Sequence, residues 1–222
     1  MIIDARFNGP PGSGNGGYTA GLVARSAPWP GPVEVTLRKP PPLDTELTAR
    51  TEEDLVRVSD PDGELVAEAR PTTAVDQTVP AVGHAEAVAV SADYPGYRNH
   101  PFPTCFVCGH QRPDHDGLGL FPGRLPDRRT AAPFTVPAGI SPELVWAALD
   151  CPGGWAVPME GRPYVLGRCA VRIDALPVAG DDCVVMGAMV GEDGRKAYTL
   201  STLYGPAGTV LAAARATWIA VA

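Results

Sequence analysis

Residues 9–27 read GPPGSGNGGYTAGLVARSA, and Gly12, Gly14 and Gly17 within them have the G-x-G-x-x-G spacing of a dinucleotide-binding loop. That fingerprint requires an apolar strand running into the glycines, a βαβ unit, and an acid ending the second strand. Here Pro10 and Pro11 separate the first strand from the glycines, and no alternation of parallel strand and helix follows. The phosphate-loop variant also fails, because Tyr18 and Thr19 stand where Lys and Ser/Thr are required. The stretch reads instead as a turn entering an apolar helix over 17–27, with Asn15 as N-cap. Asn15, Gly16 and Gly17 leave the first helical N–H groups uncovered by side chains. Such donors bind carbonyl or phosphoryl oxygens, and aimed at a developing oxyanion they would stabilise it.

The chain is self-similar. PDGELVAEAR (61–70) and PAGTVLAAAR (206–215) share P-x-G-x-x-x-A-x-A-R at a constant offset of 145 residues. Upstream of each lies the same pair of elements: alternating apolar residues, a corner containing Pro, and a second run, at 33–50 and again at 170–190. Before each comes a short apolar helix, at 17–27 and 142–151. Each copy therefore predicts a helix followed by strands of period 2, joined by tight turns such as SDPDGE, GEDGRK and YGPAGT. Strands joined by tight turns are antiparallel. Residues 91–116 break the pattern with Pro, Gly, His and Cys and read as a linker between repeats at 1–90 and 117–222. CPGGWA (151–156) predicts a break or kink in the second helix at Pro152 and the glycine pair.

Bulk properties exclude several classes of function. A net charge of −7 and a pI near 5.0 leave no basic groove for nucleic acid. The first residues, MIIDARFNGPP, lack the pattern of a signal peptide, and no run has the length of a membrane span. Five cysteines without the spacing of a disulfide framework point to reduced thiols and a cytoplasmic protein.

The order strand, Asn-Gly-Gly turn, helix, then alternating strands resembles the hotdog fold, and within it the acyl-CoA thioesterases. The resemblance covers both repeats. It implies an α+β double hotdog: two antiparallel sheets, each wrapped around a central helix. In those thioesterases the glycine turn of one copy faces a carboxylate on the helix of the other, nine residues past the first residue of the turn. Nine past Asn15 is Ala24, which has no acid–base chemistry. Aligning SPELVWAALD on NGGYTAGLVA places Ser141 at the turn and Asp150 at the acid. The deficits are complementary, so the resemblance implies one composite site and one degenerate site. In it the Gly17 N–H, helped by Asn15, would hold a thioester carbonyl, and Asp150 would activate water or attack directly.

Tyr18, Trp146 and Trp155 are candidate linings for an acyl tail, and Arg124, Arg128 and Arg129 are candidate phosphate contacts for coenzyme A. Cys151, beside Asp150, reads as a buried thiol. No organic cofactor is expected. Cys105 and Cys108 form a C-x-x-C, half of a zinc shell that His110 and His115, or His100, would have to complete. The expected partner is a small acyl-CoA-type ligand, with homo-oligomerisation left open. Alternatives are a non-catalytic acyl-CoA-binding or regulatory protein, and a hydratase or dehydratase. The latter needs a histidine on a central helix, where the sequence supplies none.

Overall fold

A computed structural model describes residues 1–73, 75–159 and 162–221. In chain order its first elements are α1 (Gly16–Arg25), β1 (Val33–Leu37), β2 (Thr48–Glu52), β3 (Leu55–Ser59), β4 (Leu65–Pro71) and α2 (His84–Ser91). Then follow β5 (Gly123–Arg124), β6 (Thr130–Thr135), α3 (Pro142–Trp155), β7 (Tyr164–Ile173), β8 (Asp182–Asp193), β9 (Lys196–Tyr204) and β10 (Val210–Ala220).

Both expected central helices form; α1 starts on the Asn15 cap read from sequence, and α3 on Ser141, the residue aligned with the turn. Asn15 Oδ1 accepts the Tyr18 N–H at 2.9 Å, and Ser141 Oγ accepts the Leu144 N–H at 3.4 Å, with Pro142 in the first turn. The strands are antiparallel throughout, as their tight turns require. Gly63 and Gly208, the matching glycines of the repeated decapeptide, hold φ of +81° and +75° in the turns that lead into β4 and β10.

The expectation of two sheets is corrected. Among the described residues all ten strands belong to one sheet, in the order β2-β3-β4-β1-β7-β10-β9-β8-β6-β5. The join is β1 against β7, with Val33 opposite Val171 and Thr36 opposite Arg168. Each would otherwise present an edge of unpaired backbone groups, and pairing satisfies both. Outward from this seam one arm runs β1-β4-β3-β2 and the other β7-β10-β9-β8, the same order by position in each half. The strand expected ahead of the Asn-Gly-Gly turn does not form. Ala5–Phe7 is a single 3-10 turn, and Asn8 with Gly14 and Ser13 with Pro42 make only isolated bridges. Pro10 and Pro11 have no N–H to give a ladder.

The break expected at Pro152 is also corrected, because α3 continues to Trp155. Pro152 forgoes one helical bond, but its carbonyl accepts the Thr130 hydroxyl at 2.6 Å. Gly153 and Gly154 bring this last turn hard against the sheet; a Cβ at Gly153 would lie 2.6 Å from Ser201 Oγ. Tertiary packing overrides the local breakers.

The main core lies between one face of the sheet and the helices α1 and α3. The two helices touch through Gly17 and Gly21, spaced i, i+4 on one face of α1. A Cβ at Gly17 would be 2.6 Å from Asp150 Cβ, and one at Gly21 would be 2.8 Å from Glu143 Cα. On the opposite face, α2 and Val79 cover Val184, Met186, Leu200 and Tyr204.

The segment from 91 to 116 begins at the last residue of α2 and packs into the main core. Cys105, Phe106, Val107 and Cys108 are all buried. Arg112 ties the segment to the amino terminus, donating to Asn8 Oδ1 at 2.7 Å and to the Arg6 carbonyl at 2.9 Å.

Candidate functional site

The close approach at Gly17 places the amino-terminal end of α1 directly on Asp150. Oδ2 of Asp150 accepts the Gly17 N–H at 3.0 Å and the Asn15 Nδ2–H at 3.1 Å. The two donors come from one half of the chain and the carboxyl from the other. Oδ1 is buried with no hydrogen-bond partner among the described residues. Burial is the main influence on this acid. It disfavours the charged form strongly enough to outweigh both donors, and the pKa rises from 3.8 to about 7.

Asn15 and Asp150 line a cavity of about 400 Å³. Leu37, Phe102, Met159, Leu166, Trp218 and Ile219 make much of its wall apolar. Gly16, the first residue of α1, also lines it, and as a first-turn N–H it has no carbonyl within its own helix to bond.

Cys105, Cys108 and Cys151 stand in the same wall. Their sulfurs all lie within 4.8 Å of one another, and Cys105 and Cys151 are 4.0 Å apart. Among the described residues this is the one cluster of three or more His, Cys, Asp or Glu ligand atoms so close together. Cys151, read from sequence as a buried thiol, is buried and belongs to the cluster. His110 and His115 lie outside it: His110 contacts Gln111, and His115 is exposed. His100 reaches Cys108 Sγ through Nε2 at 3.3 Å, while its Nδ1 accepts the Phe102 N–H at 2.9 Å. That bond places the proton on Nε2, which faces the Cys108 carbonyl at 3.2 Å and the Cys108 sulfur at 3.3 Å.

The fold is now open to comparison. No family model matches the chain, and no curated protein does. Solved structures do. A protein from Novosphingobium aromaticivorans, provisionally named a thioesterase, has a TM-score of 0.61 at 15% identity; the match covers 100% of this chain and 94% of that one. The tesB protein of Mycobacterium avium subspecies paratuberculosis gives 0.59 at 13% identity, covering 96% and 90%. A conserved protein from Alicyclobacillus acidocaldarius, described as having the hot dog fold, gives 0.55 at 12% identity, covering 99% and 91%. The chain has the hotdog fold.

Within this hotdog protein the other residues singled out from sequence scatter. Trp155 lines the cavity and donates from Nε1 to Cys108 Sγ at 3.5 Å. Trp146 lines a different hollow, beside Arg25 and Glu143 on the far side of the α1–α3 contact. Tyr18 stacks on Phe7 with ring centroids 3.8 Å apart. Arg129 is engaged by Asp127 and the Pro80 carbonyl, Arg128 is exposed in a turn at φ +70°, and Arg124 reaches the Val157 carbonyl at 3.5 Å. None of these three arginines lines the cavity.

The cations that line it are Arg38 and Lys39, held by Glu68 and by Asp60 and Glu64 respectively. Their signal in the sequence was the R-K-P-P-P corner after β1, where the chain leaves the sheet and turns back toward the glycines. Among the described residues no helix is long and apolar enough to cross a membrane.

Proposed function

We propose that this hotdog protein hydrolyses an acyl thioester in the cavity beside Asp150. The observation that carries the reading is the environment of that carboxyl. It is buried, held at Oδ2 by donors from the other half of the chain, free at Oδ1, and poised near pH 7. A base with its pKa near the working pH combines a useful deprotonated fraction with enough strength to take a proton from water.

In this reading the ionised Asp150 accepts a proton from water as the water attacks the thioester carbonyl, and returns it to the thiolate expelled when the tetrahedral intermediate collapses and the C–S bond breaks. The Gly17 N–H, the donor suggested by sequence for that carbonyl, is committed to Asp150. The Gly16 N–H, in the first turn at the positive end of α1 and in the cavity wall, is the better candidate to stabilise the oxyanion. The apolar wall suits an acyl chain. Arg38 and Lys39 are placed to meet the phosphates of a coenzyme A ester once released from their acidic partners. The composite arrangement, with the glycine turn from one arm and the acid from the other, is what a tandem pair of hotdog repeats with one surviving site would have.

The test is a panel of acyl-CoA esters with a thiol-detecting reagent, run on the wild type and on Asp150→Asn. Release of free thiol by the wild type and its loss in the variant support the proposal. Equal rates in the two proteins would remove it. Saturable acyl-CoA binding without thiol release from any ester would favour the non-catalytic alternative.

A further inference from the structure

We propose that Cys105, Cys108 and Cys151 form a three-thiolate site for a zinc ion, with the fourth coordination position open to the cavity. Two of the ligands come from one tight turn. The Gly109 N–H bonds back to the Cys105 carbonyl at 2.8 Å, which brings Cys105 and Cys108 to the same side. A Cβ at Gly109 would lie 2.4 Å from the Cys105 nitrogen, so only glycine follows the pair. The third ligand comes from α3, next to Asp150.

Zinc–sulfur bonds of about 2.3 Å in a tetrahedron put neighbouring sulfurs about 3.8 Å apart. The Cys105–Cys151 separation of 4.0 Å is close to that value, and all three pairs fall within 4.8 Å. A single ion can therefore bridge the three with small side-chain rotations.

The surroundings favour anionic sulfur. Cys108 Sγ faces the N–H groups of Trp155 and His100, at 3.5 and 3.3 Å, and Cys105 Sγ faces the Asn15 amide at 3.8 Å. Such donors commonly surround metal-bound thiolates and tune them. Binding a dication displaces the thiol protons, and three thiolates with one Zn²⁺ carry a net charge of −1 instead of −3. The proposal does not depend on thioester hydrolysis.

The experiment uses the full chain, reduced and stripped of metal, titrated with Co²⁺ and then Zn²⁺. Expected are one equivalent of Co²⁺, the thiolate charge-transfer bands and visible bands of a tetrahedral site, displacement by Zn²⁺, and proton release on binding. Cys151→Ser should weaken binding at least 100-fold. Cys169→Ser and Cys183→Ser, which alter the cysteines outside the cluster, should leave it unchanged. Should Cys151→Ser fail to fold, X-ray absorption of the zinc-loaded wild type decides: three sulfur neighbours at about 2.3 Å support the site. Two or fewer sulfurs, substoichiometric uptake, or binding indifferent to Cys151→Ser in a folded variant would overturn it.

Discussion

The Gly17 amide and the Asp150 carboxylate meet at 3.0 Å across the contact between α1 and α3. The two residues are 133 positions apart in sequence. The absence of a side chain at the first allows the second to sit there, so the packing of the helices and the chemistry of the acid have the same cause.

Asp150→Asn should preserve the shape of the site, since Oδ1 of the amide can still accept from Gly17, while removing the base. General-base contributions of about 100- to 10,000-fold set the expected loss in kcat, read as thiol release from an acyl-CoA ester. Circular dichroism should show an unchanged fold.

The pH dependence has two linked signatures. Activity should rise with pH through a limb near 7, where Asp150 ionises. Stability should move the other way. The folded chain keeps this acid protonated to about 7, whereas the unfolded chain ionises it near its ordinary 3.8. The contribution is therefore full below the lower value, falls across the window, and is flat above the upper one. At about 1.4 kcal/mol per pH unit, the stability difference between wild type and Asp150→Asn should change by on the order of 4 kcal/mol between about pH 4 and about pH 8. Urea unfolding of both proteins at several pH values measures it.

Asn15→Asp keeps an equally good helix cap but replaces the Nδ2 donor with a second carboxylate beside Asp150. A lost hydrogen bond and an added like charge both penalise the ionised acid. The activity limb should shift upward by about one pH unit or more. A variant that lowered the rate without moving the limb would show that Asn15 acts through the helix alone.

Gly17→Ala sets two effects against each other. Alanine favours the helix by about 1 kcal/mol. Its methyl would sit 2.6 Å from Asp150 Cβ and 2.7 Å from the Trp146 carbonyl, forcing the helices apart. Overpacking costs about 1–3 kcal/mol, so net destabilisation is expected in thermal or urea unfolding, along with loss of the Gly17–Asp150 bond.

The proposed coenzyme A ester would distinguish two sets of cations. Lys39→Ala should raise KM several-fold for a coenzyme A ester and leave KM unchanged for the matching pantetheine thioester, which lacks the nucleotide phosphates. Arg128→Ala should alter neither, because it lies in a turn away from the cavity. Steady-state kinetics on the two substrates checks both.

Local signals carried much of this architecture. The cap at Asn15 and the glycines of the tight turns act within a few residues, and each formed where its pattern placed it. Asn15, Gly17 and Asp150, which the resemblance and the spacing of nine singled out, are in hydrogen-bond contact. What stayed hidden depends on distant partners. The continuation of α3 through Pro152 needs Thr130 and the glycine contacts with β9, and the single sheet needs β1 to find β7. The third cysteine of the cluster was unreadable for the same reason. Cys151 lies 43 residues beyond Cys108, on a helix, and only the packing of the 105–108 turn against α3 brings their sulfurs together.

The seam between β1 and β7 has a practical consequence. In an assembly of separate subunits, a site built from two halves falls apart on dilution, and its occupancy follows protein concentration. Here the halves belong to one polypeptide, so each is always present to the other at a fixed, high effective concentration. The proposed hydrolytic activity, per mole of protein, should accordingly stay constant on dilution.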